Sequence, residues 1–204
     1  MLGPLRLGPV VGTGLPNLVS FGATAKVTPY VGVGLNIGLI PTIKISYYGE
    51  ATLAYRECDI YGRIHPFGGA FFVGAGVGYV TITGTLTDMF NAPIAVPIPG
   101  QAASSTSIAI FNEASVHTMV LTPQIGLFHT FGSGFSLGAD FGVQIPIAPS
   151  DVSVSTQVRT DLPASLVDKY TQYVKANDQK VLDTLEKIGR SPIPTFSVRI
   201  GWLL

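Results

Sequence analysis

The chain offers little side-chain chemistry: three histidines, one cysteine and a thin scatter of charges. Hydrolysis by a nucleophile needs a base within reach of a hydroxyl or thiol. His117 lies two residues from Ser115, and side chains two apart on a strand share a face. That pair could serve a hydrolase, or it could be an interfacial His at a polar rim. His129 lies beside Thr130 and near Ser133 but by phase is on the bulky apolar row, and His65 stands apart. One cysteine, Cys58, and scattered histidines match no zinc spacing, so no metal is expected. The Gly-x-Gly runs do not open a helix as a phosphate loop would, and no cofactor is expected. The remaining candidates are charges set on strand faces: Arg6, Lys26, Glu57, Asp59, Arg63, Asp140 and Arg199.

The elements that carry those charges read as strands. In Thr195 to Leu204, TFSVRIGWLL, every second residue is large and apolar: Phe196, Val198, Ile200, Trp202 and Leu204. The other row is small or polar and holds Arg199. Similar stretches recur at about 5–15, 18–27, 30–40, 51–65, 70–85, 114–131 and 135–147, giving eight with the last. The clearest sets Val31, Val33, Leu35, Ile37 and Leu39 against Gly32, Gly34, Asn36 and Gly38, and its phase is extended through Ile43 and Ile45. Phe135, Leu137, Ala139, Phe141, Val143 and Ile145 stand against Asp140 and Gln144 in the same way.

Composition says what surrounds these strands. Charged residues are 12% of 204, about half the usual ~25%. Half of them fall between Asp151 and Arg190. The rest of the chain has too few to cover a soluble surface. Mean hydropathy is +0.43, yet no apolar run reaches the ~18 residues of a spanning helix. Only helices and closed barrels satisfy every backbone group in lipid. An even set of alternating strands therefore predicts an all-β fold: an eight-stranded antiparallel up-and-down transmembrane β-barrel, in one domain over 1–204. About ten residues tilted ~45° rise roughly 23 Å, which matches the ~25 Å apolar band of such barrels. The bulky rows then face lipid and the seven charges face the lumen. There they form a network that fills the barrel or lines a narrow gated path. An eight-stranded barrel has room for its own side chains or one small ligand.

Connections alternate in length, apart from the short Pro16-Asn17 turn after the first strand. Thr28-Pro29, Pro66 to Gly69 and Gly132 to Gly134 are short turns. Leu86 to Glu113 reads as a long connection without periodicity. A helical insertion lies within 149–194. Leu166, Tyr170, Tyr173, Val174, Val181, Leu185 and Ile188 follow helical spacing, which predicts an amphipathic helix over 162–188 in the last external loop. Asp151 to Val158 alternates and extends strand seven. Pro9, Pro123 and Pro146 fall inside strands, where a closed barrel offers no free edge.

This pattern resembles the small eight-stranded outer-membrane barrels of Gram-negative bacteria, the class that includes the OmpA transmembrane domain and OmpW. The resemblance rests on strand count, turn asymmetry and the closing FSVRIGWLL. The terminal residue of that class is usually Phe; here it is Leu204, with Trp202 two positions back. The resemblance implies a bacterial outer-membrane location, short turns in the periplasm, and contact with outer-membrane lipid and with the barrel-assembly machinery. No signal peptide precedes the first strand, so the sequence reads as a mature chain. The external helix is a place for a protein partner. Net charge of zero argues against nucleic acid.

The expected function is non-enzymatic: membrane integrity, surface contact or a small-solute role. The alternatives are a narrow channel or carrier for small solutes or hydrophobic molecules, a soluble lipocalin-like lipid-binding barrel, and an outer-membrane lipid hydrolase using His117. The soluble barrel would need every aliphatic row inside, too much volume for eight strands. Val33, Leu35, Phe141 and Ile200 pointing inward, with Asp59 and Arg199 outside, would favour it.

Overall fold

The computed structural model describes residues 5–46, 50–92, 106–148, 151–160, 187 and 189–204. Nine strand segments follow in order: β1 Arg6–Leu15, β2 Val19–Lys26, β3 Val31–Ser46, β4 Glu50–Ile64, β5 Phe71–Ala92, β6 Thr106–Thr130, β7 Phe135–Pro146, β8 Asp151–Thr160 and β9 Ile193–Trp202. Every neighbouring pair is antiparallel, and β9 pairs with β1, so the sheet closes on itself. β8 continues the line of β7 along β6: Pro146 faces Val120, and Asp151 faces His117. The two segments are one interrupted strand, so the wall has eight.

Alternation sets which row sees what. Leu7, Val33, Leu35, Phe141 and Ile200 lie on the outer face, each between 43% and 61% exposed. The inner rows hold Thr24, Asn36, Glu57, Arg63, Gln124 and Asp140, all buried. Apolar outside and ionic inside is the reverse of a soluble barrel. Hydrocarbon is the solvent that suits such a wall, which discards the soluble lipocalin-like alternative.

Three short turns, β2–β3, β4–β5 and β6–β7, share one end. The β4–β5 and β6–β7 turns each bend through a glycine of positive φ, Gly68 at 63° and Gly134 at 91°, a region side chains avoid. The Thr28 hydroxyl accepts from the Tyr30 and Val31 amides and holds the β2–β3 turn. Leu204 exchanges backbone bonds with Leu7 at 3.0 and 3.1 Å, so the last residue is stitched into the closing seam.

Two sequence readings change. The connection expected over 86–113 is mostly strand: Leu86 pairs with Asn112 and Ala92 with Thr106, leaving 93–105 outside the described residues. A strand that has left the hydrocarbon need not keep an apolar row, so its periodicity fades before its pairing does. The phase of β3 does not run on to Ile43. Ile40 faces Tyr55 and Ile43 faces Leu53, so two residues oppose one in a bulge at Pro41-Thr42. Ile43 therefore joins the row of Tyr55, the inner one.

The prolines also find their place. Pro9 pairs with Ala23 of β2, but the β1–β9 ladder steps from Val10–Gly201 to Leu7–Leu204 across it. Pro123 pairs with Ala75 of β5, while the β6–β7 ladder jumps from Leu121–Ile145 to Gln124–Gly142. Each proline lacks an N–H and leaves a gap in one ladder only. Pro146 ends β7. The helix expected over 162–188 lies outside the described residues, apart from helical backbone at Lys187; Gly189 is also helical.

Candidate functional site

The lumen is layered. An apolar layer of Val10, Phe72, Phe128 and Leu203 lies toward the short-turn end. A second, of Tyr55, Val80 and Val120 with Ile40 and Ile82 against it, lies toward the long-loop end. Between them sits a polar band supplied chiefly by β4, whose period of two puts Tyr55, Glu57, Asp59, Tyr61 and Arg63 on one inward row.

Asp140 of β7 is the hub of the first cluster. Its Oδ2 lies 3.4 Å from Arg63 Nη2 of β4 and 3.2 Å from Arg199 Nε of β9. Its Oδ1 accepts from the Ser197 hydroxyl at 2.9 Å. Arg63 Nε and Nη1 are buried without hydrogen bonds. The guanidinium instead lies over the rings of Tyr61 and Phe72, both at 4.3 Å, and Phe128 at 5.5 Å. Desolvated contact with ring faces compensates part of that deficit.

Glu57 anchors the second cluster, with amides and a phenol in place of a cation. Its Oε1 accepts from Gln144 Nε2 at 2.6 Å, and its Oε2 from Asn17 Nδ2 at 2.5 Å and Tyr55 OH at 3.3 Å. The single Tyr55 hydroxyl proton is shared between that carboxylate and Gln144 Oε1 at 3.0 Å. Asn17 reaches inward from the β1–β2 turn across Gly38, where any side chain would collide with its amide. Asp59 is held by Asn36 Nδ2 at 3.0 Å. Between the clusters a cavity of about 50 Å³ is lined by Asn17, Glu57, Asp59, Gln124, Asp140 and Arg199 among others. That is room for a few waters.

The seven predicted lumen charges therefore fall into separate groups. Arg63, Asp140 and Arg199 form one ion cluster, Glu57 and Asp59 each sit in an amide setting, and Arg6 and Lys26 face each other at the short-turn mouth. Sequence reasoning did not single out Asn17, Asn36, Gln144 or Tyr55 for this site. Asn36, Gln144 and Tyr55 share inward rows with the charges, a usable signal. Asn17 read only as a turn residue.

On the closing strand Val198, Ile200, Trp202 and Leu204 are exposed outward, and Phe196 is half-buried with its ring 4.8 Å from that of Phe141. His129, Phe131, Phe135 and Trp202 stack in succession near the short-turn rim, with ring centroids 4.6 to 6.5 Å apart. Aromatic residues form such girdles at the membrane interface. His117 and Ser115 do not pair. His117 Nδ1 meets Thr81 Oγ1 at 3.1 Å, and Ser115 Oγ meets Ser153 Oγ at 2.7 Å. Among the described residues no group of three or more His, Cys, Asp or Glu could hold a metal.

A closed up-and-down wall of eight strands, aliphatic outside and ionic within, defines a small transmembrane β-barrel. Among solved structures, the chain is similar to the crystal structure of Acinetobacter baumannii CarO2, with a TM-score of 0.55 and 16% identity, over 99% of this chain and 100% of that one. It is also similar to that of Acinetobacter baumannii CarO, with a TM-score of 0.52 and 13% identity, over 97% of each. At such identities the likeness is one of fold. No protein-family model and no curated protein matches the sequence.

Proposed function

We propose that the chain is a non-enzymatic barrel of a bacterial outer membrane, sealed to solutes at rest. It serves membrane integrity and contact at the cell surface. One observation carries this reading. Arg63 and Glu57 of β4 bond to Asp140 and Gln144 of β7, strands that are not neighbours in the wall, so the bonds cross the lumen. With an apolar layer on either side, these bonds divide the lumen.

The short turns and both described ends then lie in the periplasm. β5 and β6 have 22 and 25 residues against 10 in β1, so the wall is tallest on the opposite, outer side. That projecting wall is the surface for a partner. Outer-membrane lipid and, during insertion, the barrel-assembly machinery are the other partners, and nucleic acid is not one. Purified protein in planar bilayers tests the seal: silence supports it, and discrete conductance steps from the unaltered protein overturn it.

The small polar cavity favours a second reading, a narrow channel gated by the same clusters. Conductance in the unaltered protein that changes in Arg199→Ala or Glu57→Ala would select it.

A further inference from the structure

We propose that the short-turn mouth of the barrel is a binding site for a phosphate-type anion, held by Arg6 and Lys26 beside His65. Arg6 opens β1, Lys26 closes β2, and the two are direct partners in the ladder. Both stand on inward rows, Arg6 with Val10 and Lys26 with Thr24, and both are half-buried. Like charges placed opposite each other on paired strands repel.

No carboxylate side chain among the described residues pairs with either. The carboxylate ion pairs of the lumen are Arg63–Asp140 and Arg199–Asp140. Glu57, Asp59 and Asp140 all lie beyond the apolar layer of Val10, Phe72, Phe128 and Leu203. The side-chain hydrogen bond of Arg6 goes from Nη1 to the Phe131 carbonyl at 3.4 Å, a long contact that leaves most of the guanidinium fork unused.

The third wall of the mouth is His65, 1% exposed, in the turn beyond β4. Its Nδ1 is engaged with the Gly69 carbonyl at 3.0 Å. Lys26 pairs on its other side with Gly32. A Cβ there would lie 3.9 Å from His65 Nε2, so the buried ring packs close against the bare backbone beside Lys26. A guanidinium fork and an ammonium thus meet at one rim from two paired strands, with a buried imidazole and a hydrophobic layer behind them. A phosphate group carries several acceptor oxygens, which suits a fork and a point charge together. It would turn the Arg6–Lys26 repulsion into two attractions. The group could belong to a soluble anion or to a lipid headgroup.

The test uses the whole protein in phosphatidylcholine vesicles at fixed ionic strength. Inorganic phosphate replaces chloride, and the unfolding midpoint is read from the gel shift between folded and heated chains. A parallel arm replaces part of the lipid with phosphatidylglycerol in chloride alone. A midpoint several degrees higher in phosphate supports a soluble anion. A rise confined to phosphatidylglycerol supports the headgroup. Lys26→Gln and Arg6→Gln should each abolish the rise while leaving the midpoint in phosphatidylcholine and chloride unchanged or higher, because a repulsion is removed. Equal midpoints in all arms for the unaltered protein, or a rise that both variants keep, would overturn the site.

Discussion

In the central band Asp140 sits between two guanidiniums, whereas at the short-turn mouth Arg6 and Lys26 face each other with no carboxylate in ion-pair range among the described residues. The difference follows depth. Arg63 and Asp140 side chains are 1% and 7% exposed, and a charge so far from water must find an opposite charge or a hydrogen bond. The mouth is open enough for water and ions to moderate a like-charge pair. In one barrel, then, burial dictates pairing at the centre, and the half-buried rim tolerates a like-charge pair.

Asp140→Ala is the hardest test of that contrast. It strands two guanidiniums and should cost about 3–5 kcal/mol in urea unfolding from vesicles, the usual result of breaking a buried pair. Arg6→Gln should change the unfolding free energy by less than about 0.5 kcal/mol, because the side chain has one long hydrogen bond and faces a like charge. Comparable losses would erase the distinction between band and mouth. Asn17→Ala comes next. It removes a hydrogen bond to the buried Glu57 carboxylate, for a loss of about 1.5–3 kcal/mol. An unchanged midpoint would mean that Glu57 does not depend on the turn above it.

The smallest effect is expected at His65. Burial, and then the charge of Lys26, holds its pKa below the usual 6.5. Above pH 6.5 the ring is neutral folded or unfolded. As pH falls below 6.5 the unfolded chain takes the proton first, so stability declines until the folded pKa is passed. The unfolding midpoint should therefore drop slightly more between pH 7 and 5 in the unaltered protein than in His65→Gln. Equal slopes would show that the ring does not titrate differently on folding.

The sequence revealed most where one face met lipid. In β3, glycines alternating with Val and Leu defined the strand, its outer row and the fold. Where the contrast between faces ended, the signal ended too: the upper β5–β6 hairpin read as loop because its strands need no apolar row there. Local geometry hid two more features. The bulge at Pro41-Thr42 reversed the faces of Ile43, and the gaps opposite Pro9 and Pro123 belong to single ladders that no pattern in one strand displays. In the site, inward rows were legible but partners were not. Alternation puts Arg63, Glu57 and Asp140 inside; which cation meets which carboxylate depends on strand stagger and on Asn17 crossing Gly38.

Accessibility of the outer rows tests the central claim most directly. With Cys58 replaced by Ala, spin labels attached one at a time at Leu35→Cys, Phe141→Cys and Ile200→Cys in vesicles should collide freely with dissolved oxygen. They should be shielded from a water-soluble nickel complex. Labels at all three sites that meet the nickel complex as readily as a label on a soluble protein would contradict a wall bathed in hydrocarbon.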